Sequence, residues 1–469
     1  MDRLIELYRK YRGRDPQKVT PITAAASNRK YWRLDDLVGT IGTDRKENKA
    51  FIALSEHFVD RGLPVPEVLG VSSDGMAYLQ TSVGNESLYD VVIRLRDDEG
   101  RFSPGAERLL EQGIDMLARF HKDGSPQLDF AGCCIRPAMD QRAVMWDLNY
   151  FKYCFLKPSA IEFDEEKLDA DFIRLAQLTS ALPTDGVMLR DFQSRNIMLG
   201  SDGSLAMIDF QGARRGAPHY DLVSYLWQSR LALPEDMRNR LVDRYIRQAG
   251  IEDADEFRSK IPLFVMLRTL QTLAVYGFKG LVEHREMFVK SIPTALHNLV
   301  GLDEALSRFP VLKDVVLRLS RLPRFVRHAQ DEGLTVTVTS FAYKLGIPVD
   351  NSGNGGGFVF DCRAIHNPGR FDRYKPLTGR DPEVIEFIEA NPDAGAFLSA
   401  AYSMVDGSVE RYLQRGFTSL SVCFGCTGGR HRSVYCAESM ARHLRERFPS
   451  VRVRLIHREQ RLTFDFPPR

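Results

Sequence analysis

The run VMLRDFQSRNIMLGSDGSLAMIDFQGARRGAPHYDL, Val187–Leu222, constrains this chain more than any other stretch. Asp191 stands five residues before Asn196. An apolar run, the turn SDGS at Ser201–Ser204 and a second apolar run, LAMIDF, then lead to Asp209. A turn of that composition between apolar runs reads as a hairpin that returns Asp209 toward the Asp191 loop. Phosphoryl transfer needs little more from a protein. One carboxylate orients the attacking hydroxyl and takes its proton, and further oxygen atoms hold magnesium against the phosphates. Taken singly, Asp191 reads as a helix cap, Asn196 as a turn residue and Asp209 as an exposed strand end. The ordered set points to a kinase loop.

The surrounding segments suit a bilobal plan. MDRLIELYRKYRG, at Met1–Gly13, has Leu4, Ile5, Leu7, Tyr8 and Tyr11 at helical spacing. Strand-like runs (KYWRL, DDLVGTIGT, MAYLQT) follow from Val19 to Gln80, with one helix near Lys46–Arg61. After Gly84 the pattern turns helical. The expected first domain is 1–325, with a small β-rich lobe over about 1–84, a helical lobe over about 85–325 and a ligand cleft between them. Gly301–Gly333 reads as a helical bridge ended by Asp331–Gly333. From Leu334 the signals alternate at short spacing: LTVTVTSFAY, FVFDCR, FTSLSVCFG and VRVRLIH as strands, DPEVIEFIEA and SVYCAESMARHLRERF as helices, NSGNGGG as a glycine-rich turn. That predicts a small layered α/β domain over 334–469.

A length of 469 residues is too great for one ordinary core. With 43% hydrophobic and 27% charged residues, the composition is that of soluble folded domains. The net charge of +2 gives no support for nucleic acid or membrane as a partner. From Leu334 onward there are 18 Lys/Arg against 14 Asp/Glu, a mildly basic balance that suits an anionic ligand. Seven cysteines, sparse and without zinc-type spacing, suit a reducing cytoplasm. The first residues are too charged for a signal peptide, and no run of about 18 apolar residues is seen.

The central run resembles the catalytic and metal-binding segments of the aminoglycoside phosphotransferase-like kinases. It is most similar to the amino-sugar anomeric kinases of cell-wall recycling (AmgK type), through RDFQSRN, IDFQGA and HYDL. PITAAASNRKYWRL, RGLPVPEVLGVSSDGMAYLQ and RTLQTLAVYGFKGLVEHREMFVKSIPTALHNL extend the resemblance over about residues 1–320. It implies a protein-kinase-like bilobal fold, ATP and Mg2+ as cofactors, Asp191 as catalytic base, and Asn196 and Asp209 as magnesium ligands. Asp221 is either the residue that braces the catalytic loop or a helix N-cap. Ser27, Asn28, Arg29 and Lys30 sit where the phosphate-covering turn belongs, although an exposed hairpin tip fits them too. LVGTIGT carries no lysine where many kinases place the one that pairs with the phosphates. The role falls to Arg29, Lys30, Lys46 or Lys49, while Glu47 reads first as a solvated helix residue. His121 reads as a helix C-terminal cap.

Near the C-terminus, a strand runs into CTGGRHRS, Cys426–Ser433, and then a helix. Glycines, backbone N–H groups at a helix start, two arginines and a histidine suit an oxyanion. The spacing from Cys426 to Arg432 equals that of the cysteine phosphatases, in which a thiolate attacks phosphorus. FAYKLGIPVD, GFVFDCRAIHNPGRFDRYKPLTGRD and VCFGCTGGRHRSVYCAESMARHL resemble the C-terminal domain of the RapZ family over about Val336–Arg461. That resemblance implies binding of an amino-sugar phosphate through Cys426, Thr427, Gly428, Gly429, His431, Arg432 and Ser433. Gly369 stands where the family usually has histidine, with His366 three residues earlier. The expected fold is thus α/β and α+β multidomain. The expected function is ATP-dependent phosphorylation of an amino sugar, of N-acetylmuramate or N-acetylglucosamine type, at the anomeric position. The alternatives are a non-catalytic sensor of nucleotide and sugar phosphate, and a kinase fused to a cysteine phosphatase.

Overall fold

The computed structural model describes the chain except residues 23–28, 98–99, 183–184, 284, 326–332, 349–356, 416 and 469. It divides into two compact units, Met1–Gly277 with Ser291–Val326, and Phe278–Lys290 with Arg327–Arg469.

The first unit opens with the helix Asp2–Arg12, whose Leu4, Leu7 and Tyr8 pack on Leu34, Leu37, Ala77 and Leu79. These last four lie on or beside a five-stranded antiparallel sheet, in the order Val19–Ile22, Lys30–Leu34, Leu37–Ile41, Ala77–Thr81, Val68–Val71. Helix and sheet approach closely. A Cβ at Gly39 would stand 2.7 Å from Leu34 Cδ1 and 2.9 Å from Leu4 Cδ1, so both leucine tips would have to shift to admit a side chain there. The helix Arg45–Asp60 starts where the Asp44 carboxylate accepts from the Lys46 N–H at 2.7 Å. Its Phe51 stacks on Phe210 with centroids 4.6 Å apart, and its Phe58 meets Phe210 and Phe120 edge-on. These rings join the sheet lobe to the helical lobe at the residue after Asp209. Burying one such ring stabilises by about 1.5–3 kcal/mol.

The helical lobe includes Pro104–Asp123, Gln141–Phe151, Glu165–Ser180, His219–Leu226, Glu235–Ala249, Ala254–Tyr276 and Ile292–Val300. The stretch Ala254–Val282 is long and apolar enough, by length and composition, to cross a membrane. Its most apolar window is 67% buried within the protein, as for a core helix. The bridge read from the sequence differs in the structure. Pro310–Arg321 belongs to the first unit, with Leu312, Val315, Val316 and Leu319 buried. Its first turn is satisfied by the buried Asp171 carboxylate, which accepts from the Val311 and Leu312 N–H groups at 2.9 Å each.

The second unit is a five-stranded sheet in the order Gly357–Asp361, Ser419–Cys426, Thr335–Ala342, Arg452–His457, Leu462–Phe466. The first four strands are parallel and the last pairs antiparallel. The helices Pro382–Glu389, Pro392–Gln414 and Arg432–Arg447 complete it. The edge strand Leu462–Phe466 and the long helix Pro392–Gln414 are absent from the sequence reading. In that helix Gly395, Gly407 and many small residues hide a buried stripe of Ala394, Leu398, Ala401, Val405 and Val409. Apart from Gly357, the glycine-rich turn lies outside the described residues.

Asp171→Ala leaves the part-buried Val311 and buried Leu312 N–H groups at a helix start without an acceptor. The variant is expected to lose roughly 1–3 kcal/mol in urea unfolding of the full chain, and an unchanged midpoint would contradict the capping role.

Candidate active site

The loop after Met188 is set by one buried carboxylate. Asp221, without solvent exposure, lies in the helix His219–Leu226. Its Oδ2 accepts from the Leu189 N–H at 2.6 Å and lies 3.0 Å from His121 Nε2, and its Oδ1 accepts from the Arg190 N–H at 2.7 Å. The other ring nitrogen of His121 lies 2.6 Å from the Tyr245 hydroxyl. Asp221 is therefore a brace for the loop, and His121 holds the brace instead of capping its own helix. Arg190 takes a left-handed backbone, φ 71, uncommon for a residue with a long side chain. Its Nη2 donates to Asp147 Oδ1 at 2.8 Å, which anchors the side chain. The next residue, Asp191, keeps 42% of its side chain exposed.

Asn196 uses its Nδ2 on the Asp191 carbonyl at 2.9 Å, and its own carbonyl accepts from the Ile208 N–H at 2.8 Å. The second bond draws the Asp209 segment beside the loop. Asp209 is also left-handed, φ 63, and Gln211 Nε2 donates to its Oδ1 at 2.8 Å. Among the described residues, Asn196 Oδ1 and Asp209 Oδ2 accept no hydrogen bond. Burial pushes the Asp209 carboxyl above its ordinary pKa, the Asp191 charge pushes it further, and the Gln211 bond, Arg29 and Arg195 oppose the shift. Asn196 Oδ1 and Asp209 Oδ2, with the Asp191 charge near them, are oxygen donors of the kind a hard divalent cation takes. Among the described residues no cluster of three or more His, Cys, Asp or Glu is suited to hold a metal alone. This pair fits a magnesium ion that takes its remaining ligands from phosphates and water.

Arg29 stands just before the strand Lys30–Leu34 with 4% of its side chain exposed, and its Nη2 lies 3.3 Å from Glu47 Oε2 in the helix Arg45–Asp60. Its guanidinium lies over the Phe51 ring at 5.9 Å. Burial works against its charge, yet the Tyr78 and Tyr31 hydroxyls, Asp209 and Glu47 together hold its pKa above the ordinary value. Glu47 is thus the partner of a buried cation, not a free helix charge. Lys30 is exposed on its strand. Ser27 and Asn28 lie outside the described residues.

The phosphotransferase enzyme family matches residues 18–258, just over half of the chain. The chain belongs to this family. The RapZ C-terminal domain matches residues 334–461. A nucleotide-binding protein of Xanthomonas campestris is 30% identical over 259 residues, covering 49% of this chain and 88% of that protein. One from Paramagnetospirillum magneticum is 41% identical over 127 residues, covering 27% of this chain and 39% of the relative. The chain spans less than half the length of this relative and of two further ones, from Nitrosomonas eutropha and an Azoarcus species. Among solved structures, choline kinase from Cryptosporidium parvum is 11% identical with a TM-score of 0.46, covering 67% of this chain and 98% of that one. The GDP and kanamycin complex of an aminoglycoside phosphotransferase is 16% identical with a TM-score of 0.44, covering 65% and 98%. The first unit has the kinase-like phosphotransferase fold, and a separate RapZ-like domain follows it.

In the RapZ-like domain the loop leaves the strand Ser419–Cys426 and enters the helix Arg432–Arg447. Cys426 is buried; its Sγ accepts from the Gly429 N–H at 3.2 Å and lies 3.1 Å from Ser433 Oγ. Gly429 is left-handed, φ 65, and a Cβ there would stand 2.6 Å from Glu459 Oε2 and 2.9 Å from the Ala342 N, so glycine is required. Thr427 and Gly428 are exposed, with open space at Gly428. The basic side chains turn elsewhere. Arg432 Nη1 donates to the Arg363 and Ile365 carbonyls at 2.8 and 3.0 Å, Arg430 donates to Leu377 and Pro376 carbonyls, and His431 Nε2 lies 2.9 Å from the Tyr374 carbonyl. Burial lowers the His431 pKa. Arg432 Nε is buried and has no partner among the described residues. A Cβ at Gly369 would stand 3.4 Å from His431 Nδ1, whereas His366 is exposed beside Phe387.

The raised pKa of Asp209 means that its charge opposes folding at neutral pH and is relieved as the carboxyl takes up a proton on acidification. Asp209→Asn is therefore expected to melt a few degrees above the ligand-free parent at neutral pH, with the gap narrowing as the pH falls toward the ordinary aspartate range. Thermal melts across that range check this. A variant less stable than the parent at every pH would contradict it.

Proposed function

We propose that the first unit transfers the terminal phosphoryl group of ATP to a hydroxyl of an amino sugar. The acceptor is of N-acetylmuramate or N-acetylglucosamine type and the position anomeric, by the resemblance of RDFQSRN, IDFQGA and HYDL to the amino-sugar anomeric kinases. The observation that carries the phosphotransfer reading is the half-exposed Asp191 on a braced loop beside the free oxygens of Asn196 and Asp209. Asp191 orients the acceptor hydroxyl and takes its proton as the oxygen bonds to the γ-phosphorus. The bond from phosphorus to the bridging oxygen breaks, and its electron pair leaves with ADP. Asn196 and Asp209 would hold a magnesium ion, which when bound neutralises charge on the phosphates. Arg29, kept in place by Glu47, meets the phosphates with a fixed positive charge, and the resemblance assigns Ser27, Asn28 and Lys30 to phosphate binding with it. None of the seven cysteines, all among the described residues, is in a disulfide, which suits a reducing compartment, and we assign the reaction to the cytoplasm.

The RapZ-like domain is proposed to bind an amino-sugar phosphate at the loop Cys426–Ser433. The exposed Thr427 and Gly428 and the start of a 16-residue helix favour an anion there. Cys426 Sγ accepts from the Gly429 N–H and lies against Ser433 Oγ, a setting that also suits the nucleophile of a cysteine phosphatase, so hydrolysis is a real second reading. Such chemistry needs a neutral carboxyl to protonate the leaving oxygen. Two nearby candidates are poorly suited to it. Arg363 holds the Asp361 carboxyl below the ordinary range, and the Thr378 N–H and hydroxyl do the same for Asp381. Binding is therefore favoured.

Asp191→Asn is expected to keep the fold and lose roughly 100-fold or more in turnover on a panel of amino sugars, read by phosphorus NMR of the product. Near-normal turnover would remove Asp191 from the chemistry. The parent protein should release no phosphate from glucosamine 6-phosphate or from an aryl phosphate. Release that vanishes in Cys426→Ser would instead make the domain a phosphatase.

A further inference from the structure

Arg268 is the lone charged residue in LFVMLRTLQTLAVY, Leu263–Tyr276, within the core helix Ala254–Tyr276. Its side chain is 8% exposed. A buried guanidinium is costly unless a carboxylate compensates it, and the usual arrangement supplies a buried one. Here, among the described residues, the one carboxylate within salt-bridge distance is Asp191, whose Oδ1 lies 3.5 Å from Arg268 Nη2 while 42% of its side chain faces solvent. The remaining nitrogens of Arg268 are occupied. Nε donates to Ser224 Oγ at 2.8 Å, and Nη1 donates to Thr272 Oγ1 at 3.0 Å and to Gln271 Oε1. The guanidinium lies over the Tyr220 ring at 5.7 Å. Ser224 in turn reaches the Arg190 carbonyl at 3.5 Å, so Arg268 grips the residue before Asp191 through Ser224 and Asp191 itself through Nη2.

We propose that Arg268 is the positioning residue of Asp191, resting on the phosphotransfer reading above. A carboxylate alone on an open loop samples several rotamers. A fixed fork anchored on three sides and aimed at one of its oxygens selects a single rotamer, leaving Oδ2 for the acceptor hydroxyl. When Oδ2 takes the acceptor's proton, the guanidinium charge is no longer compensated by Asp191 and faces the oxygens of the phosphoryl group in transfer. The role accounts for both anomalies, a lone charge in an apolar helix and a buried cation whose carboxylate is half exposed.

The test compares Arg268→Met, Arg268→Lys and Asp191→Asn with the parent chain. The readouts are melting temperature, affinity for a fluorescent ATP analogue, and kcat and KM on the N-acetylated hexosamine that the parent turns over fastest. A positioning role predicts a folded Arg268→Met with unchanged analogue affinity, acceptor KM within about threefold and kcat down roughly 100-fold, with added methylguanidinium restoring part of the rate. A purely structural role would not give that rescue. A folded Arg268→Met with parental kcat overturns the inference, as does a loss of rate that methylguanidinium does not reverse. If Arg268→Met fails to fold, Arg268→Lys decides. It keeps the charge without the fork, so a lowered kcat at unchanged KM supports the role and a parental kcat overturns it. Parental turnover in Asp191→Asn overturns the phosphotransfer reading itself.

Discussion

The loop that carries Asp191 has its backbone fixed by a carboxylate that never meets water. Asp221 is affordable inside the protein because its oxygens take two backbone N–H groups and lie against His121. His121 in turn leans on Tyr245, so three helices share the position of one loop. Without that carboxylate the Leu189 and Arg190 N–H groups would be orphaned, and nothing would oblige Arg190 to adopt its left-handed turn. The direction of Asp191 follows from that turn.

Around this brace the site is stocked with groups that a stability-optimised core would exclude. Asp147 Oδ2, the Tyr220 hydroxyl and Gln211 Oε1 are buried with no partner among the described residues. Asp209 is left-handed and uncomfortable as an anion. Functional sites commonly hold such unrelieved polarity, which a ligand later satisfies. The aromatic column Phe51–Phe210–Phe58–Phe120 supplies apolar adhesion beside it, tying the strained segment to both lobes.

Much of the candidate site was legible in the sequence because its residues are local. Asp191, Asn196 and Asp209 lie within one run, and alternating strand and helix signals outlined the C-terminal sheet. The supporting residues were harder to see because their partners are remote in the chain. Asp147 pairs with Arg190, 43 residues away, and Asp171 caps a helix 140 residues away. Their signal was nonetheless present as charge in the wrong place. Asp147 sits on the buried stripe of Ala143, Val144, Leu148 and Phe151, and Arg268 interrupts an apolar run. Glu47 and His121 were misjudged for the opposite reason. Each has a satisfactory local explanation, a solvated helix face or a helix end, and only tertiary pairing overrides it. The basic residues of the Cys426–Ser433 loop show the same limit, since spacing cannot reveal that Arg432 spends Nη1 on carbonyls.

The ion pair between Arg29 and Glu47 bears on how such proteins are catalogued. Glu47, in the first turn of its helix, pairs with an arginine that stands ahead of the second strand, while the third strand carries no lysine. An inventory that scores competence by a lysine at one strand position would file this chain among the degenerate copies. A glutamate in the first turn of that helix, with no lysine on the neighbouring strand, is a reason to look one hairpin upstream for a displaced arginine.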